Sequence, residues 1–231
     1  MPQDIAKYQG KFAEIDPQRP FNATYAAMIT RMDTEIGRVL QALDRLQLTK
    51  QTIVVFLSDQ GATFEPMNQG ASAYHDSNRP FRGQKRTLWE GGIRVPAVVR
   101  WPAKVQPATR SNEVINTIDL MPTLLATAQI ATDPAWHLDG VDLTPVWRGH
   151  GSLLPRTLFW EWRTECSFQL AAMRGNMKLV VTGQNPAELF NVEADPGERR
   201  SIIAEHQTLA AELQKELTTW LATEAGKPTC R

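Results

Sequence analysis

Residues 53–94 read IVVFLSDQGATFEPMNQGASAYHDSNRPFRGQKRTLWEGGIR. The opening run from Ile53 to Leu57 is apolar, rich in β-branched residues and without alternation, which suits a parallel strand buried on both faces; a buried helical turn reads similarly. Ser58-Asp59-Gln60-Gly61 follows at once. In open α/β sheets ligands collect beyond the carboxyl ends of strands, so an acidic residue there, ahead of a glycine that permits an unusual backbone, is a candidate site. Asp59 is the first such candidate, with a turn or helix cap as its structural alternative.

Upstream, residues 1–20 are polar with Pro17 and Pro20 and read as an extended lead-in. Tyr25, Ile29, Met32, Ile36, Val39, Leu40 and Leu43 then recur at helical spacing, with Asn22 or Thr24 available as a cap. A helix followed by a strand is the α/β pattern. Downstream, residues 61–85 lack a sustained period and read as a long loop, which in a compact domain is usually functional. Residues 95–101 read as a second strand with Pro96 at its start or edge, and residues 119–130 as a helix capped by Asp119 with Pro122 in its first turn. Residues 133–155 suit a connector, which places a domain boundary near Gly151. Beyond it, residues 157–162, 168–174, 177–181 and 188–192 predict a small antiparallel sheet with a hairpin turn at Gly175-Asn176. Ile202, Ile203, Leu209, Leu213, Leu217, Trp220 and Leu221 mark an amphipathic closing helix over one face of that sheet, and Trp160, Trp162 and Trp220 read as core.

The 231 residues carry 25 Lys plus Arg against 25 Asp plus Glu, so no basic excess supports nucleic-acid binding. Two cysteines, Cys166 and Cys230, are too few and too far apart for a disulfide framework or a zinc site. Residues 1–10 show neither a signal peptide nor a membrane anchor. Asn22-Ala23-Thr24 fits a glycosylation sequon, a pattern that often arises by chance.

Ser58-Asp59-Gln60-Gly61, Arg82-Gly83-Gln84-Lys85 and Glu90-Gly91-Gly92-Ile93-Arg94-Val95-Pro96 stand in an order and spacing that resembles the second half of type I, formylglycine-dependent sulfatases. The resemblance extends to Tyr25-Ala-Ala-Met28 with Met32-Asp33, to Ile118-Asp119-Leu-Met-Pro-Thr123, and to Glu188-Leu-Phe-Asn191 with Asp195-Pro-Gly-Glu198. It implies that residues 1–150 belong to an alkaline-phosphatase-like, doubly wound α/β sheet domain and residues 151–231 to a small C-terminal α+β domain. It also implies sulfuric ester hydrolysis in the complete enzyme. Asp59 and Gln60 then match a pair that helps hold calcium, a hard ion suited to carboxylate and amide oxygens. Gln60 departs from the more usual Asn or His while keeping an amide oxygen on a longer stem. Lys85, which among Arg79, Arg82 and Arg86 otherwise reads as part of a solvated basic face, matches a sulfate-binding residue whose ammonium stabilises charge during transfer. His75 is a candidate proton donor or sulfate contact, or simply a surface histidine. Arg94 is open between a site role and an ion pair with Glu90. Members of such families are often exported or lysosomal.

The nucleophile of these enzymes derives from the Cys or Ser of a Cys/Ser-x-Pro-x-Arg run, and the 231 residues contain none. Two readings follow. As part of an enzyme, the chain completes an active site with an N-terminal half bearing that run and the remaining calcium ligands; as a non-catalytic fragment or binding module, it keeps the fold alone. Either way the isolated chain is expected to be inactive and its calcium site incomplete. Its first 151 residues are expected to expose apolar surface, and residues 157–221 to form a core of their own.

Overall fold

The computed structural model describes residues 2–11, 21–63, 75, 77–164 and 167–223. Helix α1 (Pro2–Ala6) packs on α2 (Phe21–Arg45), with Tyr8 Oη and Thr30 Oγ1 2.5 Å apart. The lead-in therefore contains a helical turn. Pro2 has no N–H to lose at a helix start, and Asp4 lies in the first turn, where negative charge is favoured. Residues 12–20 lie outside the described residues. Asn22 and Thr24 do not flank α2 as expected, because the helix already begins at Phe21. Ala23 and Ala27 are buried, whereas Tyr25, Met28, Ile29, Met32 and Val39 remain exposed.

Strand β1 (Val54–Leu57) pairs with β2 (Ala97–Arg100), Val54 opposite Arg100 and Leu57 opposite Ala97. The pairing is antiparallel, which corrects the parallel neighbour inferred from the apolar run. Nor is β1 buried on both faces, since Val54, Val55 and Leu57 are half-buried and Phe56 is exposed, and an apolar run without alternation carries no information on strand direction. Direction follows from the intervening residues 58–96, which return the chain to the end of β1 where Leu57 lies. Phe56 and Val98, a cross-strand pair, are both exposed.

The second sheet is a meander of β3 (Thr157–Arg163), β4 (Phe168–Arg174), β5 (Met177–Thr182) and β6 (Glu188–Asn191), all antiparallel. Gly175 adopts φ +57° between β4 and β5, where a tight hairpin favours positive φ. Leu170, Ala172, Leu179 and Leu189 face helix α6 (Gln207–Thr223) through Ala210, Leu213 and Leu217. Ile202 and Ile203 join this cluster from the turn before the helix, not from the helix itself. Trp220 stacks on Phe159 at 5.4 Å, and Trp160 and Trp162 are partly buried. The opposite face, Ala171, Met173, Val180 and Phe190, is covered by Leu88 and Trp89 from the central stretch. One side of the meander's core is thus supplied by residues far upstream.

Between the sheets lie a 3-10 turn (Thr117–Asp119), α4 (Leu120–Thr127) and, inside the expected connector, α5 (Thr144–Trp147), the single helical turn α3 being Glu90–Ile93. Asp119 was expected to cap its helix, but its side chain makes no such bond. Instead it accepts from Asn116 N–H (2.8 Å) and Val141 N–H (2.9 Å) and takes both arms of Arg156 at 2.5 Å. A planar guanidinium matches both carboxylate oxygens at once, which no helix-end amide can do. Burial of Asp119 opposes ionisation, yet Arg156 and the two N–H donors outweigh it and hold the carboxyl below its ordinary value. A depressed folded-state value gives stability that is complete above the unfolded carboxyl's value, about 3.9, and lost as pH falls through the folded one. Urea unfolding at stepped acid pH should show this loss, at up to about 1.4 kcal/mol per pH unit. Arg156→Met should remove that part of the slope, and an unchanged slope would show that the pair does not hold the carboxylate ionised.

Candidate functional site

Three segments of the central stretch are tied into one knot by their backbones. Gly61 N–H donates to Gly92 O (2.9 Å), Lys85 N–H to Ala62 O (3.0 Å), and Gly91 N–H to Arg82 O (2.6 Å). Asn78 binds two of them, accepting from Ala62 N–H (3.0 Å) and donating to Gly83 O (3.1 Å). The crossing is close enough to require glycine at Gly61, Gly91 and Gly92. A Cβ on Gly61 would overlap the Gly91 carbonyl, and one on Gly91 would sit 2.6 Å from Arg82 O.

Asp59 projects from the end of β1 and is exposed. Gln60 Nε2 donates to Asp59 Oδ2 (3.0 Å), and Ser58 Oγ donates to Gln60 O (2.9 Å). The pair offers hard oxygens on adjacent residues, the right donor chemistry for calcium. Its donor number falls short of the six to eight that the ion takes. Among the described residues no group of three or more His, Cys, Asp and Glu side chains could hold a metal ion.

Lys85 is half-buried and sits within the knot, fixed by its own backbone bond to Ala62. His75 is held instead by α2, its ring stacked on Tyr25 at 4.5 Å and Nδ1 hydrogen-bonded to Asn22 Oδ1. Arg94 lies over the Phe81 ring (4.8 Å) and 3.5 Å from Glu90 Oε2. Cys166 and Cys230 lie outside the described residues.

Sequence reasoning missed a buried charge cluster behind the knot. Lys178 of β5 is fully buried, its Nζ donating to Glu90 Oε1 (2.9 Å) and lying 2.9 Å from Glu198 Oε1 in charge contact. Glu90 N–H donates to Glu198 Oε2 (2.7 Å), and Arg82 Nη1 donates to Glu198 O (3.1 Å). Burial pushes the Glu198 carboxyl above its ordinary value; Lys178 and the Glu90 N–H pull it back, and the Glu90 carboxylate adds to the rise. A lysine inside the apolar run Met177-Lys178-Leu179-Val180 was the available signal.

A family model described as Sulfatase matches residues 1–130, more than half of the chain. The chain belongs to the sulfatase family. A second model, N-sulphoglucosamine sulphohydrolase, C-terminal, matches residues 83–225 of this sulfatase chain. Steryl-sulfatase of Mus musculus is 32% identical over 221 residues, covering 81% of this chain and 35% of that protein. A sulfatase of Formosa agariphila is 28% identical over 244 residues, covering 94% of this chain and 42% of its own length. The crystal structure of Ps i-CgsB in complex with k-i-k-neocarrahexaose superposes with a TM-score of 0.83 at 25% identity, over 95% of this chain and 46% of that one. The chain therefore spans less than half the length of these relatives, and its fold is their α/β, alkaline-phosphatase-like one.

Proposed function

We propose that this sulfatase chain forms the sulfate-holding side of an active site for sulfuric ester hydrolysis, in an assembly whose nucleophile lies outside these 231 residues. The observation that supports the reading is the backbone knot, which joins the Asp59 turn, the Lys85 loop and the Glu90-Gly91-Gly92 turn. A lysine whose backbone is tied into the knot is suited to stabilising charge on non-bridging sulfate oxygens, because its loop needs little reorganisation as that charge grows. Asp59 and Gln60 would supply two oxygens to a calcium ion, which would neutralise sulfate charge, with the other ligands coming from elsewhere in the assembly. His75 has Nδ1 engaged by Asn22, so a proton exchanged with substrate would be carried on Nε2. The substrate class is a sulfate ester. We place the boundary between the catalytic part and the small C-terminal part near Gly151.

The missing Cys/Ser-x-Pro-x-Arg run favours a second reading, a non-catalytic sulfatase-like binding module. Both readings meet the same test. The chain joined to a sulfatase segment bearing that run should hydrolyse an aryl sulfate and lose activity on calcium chelation, whereas the isolated chain should do neither. An inactive but folded assembly would favour the binding module. Calorimetry on the isolated chain should show only weak calcium binding, since two side chains leave most of the ion's coordination unmet. Tight binding lost in Asp59→Ala would overturn the shared-site reading.

A further inference from the structure

We infer that Glu198 is a positioning residue: from the small sheet's side of the molecule, it fixes the segment that carries Lys85. The inference rests on the sulfatase reading for its catalytic part, while its mechanical part stands on the structure alone.

Among the described residues, the hydrogen bonds and ion pairs that hold residues 82–91 from behind include several from the C-terminal sheet and its following turn. Leu88 N–H donates to the Gln169 side chain of β4, and Glu90 meets Lys178 of β5. Glu198 itself makes two bonds to the segment, one at each end. Its carboxylate accepts from Glu90 N–H (2.7 Å), and its carbonyl accepts from Arg82 Nη1 (3.1 Å). The Arg82 guanidinium is stacked 3.6 Å over Trp89, and Arg82 O accepts from Gly91 N–H (2.6 Å). Lys85 lies in the loop between these two anchor points. A shift of either end moves the ammonium relative to Gly61 and Ala62, and so relative to the Asp59 turn.

The backbone of Glu198 supports a role beyond filling space. It adopts φ +48° while its side chain is fully buried. Left-handed backbone is uncommon outside glycine and persists where surrounding contacts over-determine it, frequently at functional sites. Here the contacts are the two just named and the Lys178 ammonium. A carboxylate whose only task was to neutralise Lys178 would not need them, because Glu90 already forms an ion pair with that lysine at 2.9 Å. That redundancy makes Glu198 separable from folding, since Glu198→Gln leaves one cation paired with one anion.

The test has two arms. In the first, hydrogen exchange is followed across residues 82–92 of the 231-residue chain, as wild type and as Glu198→Gln, with the unfolding midpoint measured in parallel. Exchange at Glu90 and Gly91 should quicken by about tenfold or more, with the meander's β4–β5 amides unchanged, since a charge-assisted bond is replaced by a neutral one. Unchanged exchange at Glu90 and Gly91 overturns the inference, as does faster exchange spread evenly over the sheet. In the second arm, the reconstituted enzyme carrying Glu198→Gln should lose about tenfold or more in kcat with KM little changed, because a displaced loop impairs transition-state contacts more than ground-state binding. Full kcat alongside loosened exchange would overturn the catalytic role. If the wild-type assembly is itself inactive, the sulfatase reading fails and the catalytic role falls with it, while the exchange arm still decides whether Glu198 holds the loop.

Discussion

Lys85→Ala in the reconstituted enzyme lowers kcat by about two to three powers of ten, the range for removing one preorganised charge contact. The size of the effect follows from where the ammonium is held. Its own N–H is fixed to Ala62 O at 3.0 Å, and its loop is closed by the Gly91 to Arg82 bond at 2.6 Å, so the backbone that carries the cation is already in place as charge develops. The side chain is half-buried, where a charge contact is worth more than in open water. The backbone knot does not depend on the lysine side chain, so the variant should keep the wild-type unfolding midpoint. Lys85→Arg should recover only part of the rate, since a planar fork does not reproduce a compact point charge. Unchanged kcat in Lys85→Ala would remove this residue from the site and take the sulfate-holding reading with it.

The sequence was most legible where periodicity and turn chemistry act locally. The four meander strands and the Gly175-Asn176 hairpin lie within a residue or so of their expected positions, because short strand-like runs and a two-residue turn are local signals that need no reference to distant residues. The three motif segments were legible as an ordered set, but not the way they cross, which depends on carbonyls meeting glycines thirty residues away in the chain, such as Gly61 with Gly91. Strand direction in β1 was misread because burial pattern is blind to it. Asp119 was misread for a related reason: an Asp ahead of a helix is a cap by local rules, and only the fold brings Arg156 to it. Lys178 escaped notice because its partners, Glu90 and Glu198, belong to two motifs that look unrelated until the sheet brings them together.

That lysine carries the largest expected effect on stability. In Lys178→Met the buried carboxylates of Glu90 and Glu198 lose the cation between them, though the methionine fills similar space. Breaking a buried charge set by removing one partner typically costs about 3–5 kcal/mol, because the remaining ions stay out of water without compensation. Against a domain stability of about 5–15 kcal/mol this is a large share, so the denaturant midpoint at pH 7 should fall steeply. The pH dependence fixes the cause. Glu198 already sits above its ordinary value through burial, and without Lys178 it should rise further. A carboxyl raised in the folded state contributes stability that is complete below its unfolded value and lost as pH rises through the folded one. Lys178→Met should therefore regain midpoint as pH is lowered from 7 towards 5, opposite in sign to the acid loss expected from Asp119. Adding Glu90→Gln and Glu198→Gln to Lys178→Met should recover much of the loss at pH 7, since amides tolerate burial without a counter-ion far better than carboxylates. A Lys178→Met chain with the wild-type midpoint at pH 7 would mean that water reaches the cluster in solution, and the sheet would then not be held to the Lys85 loop by charge.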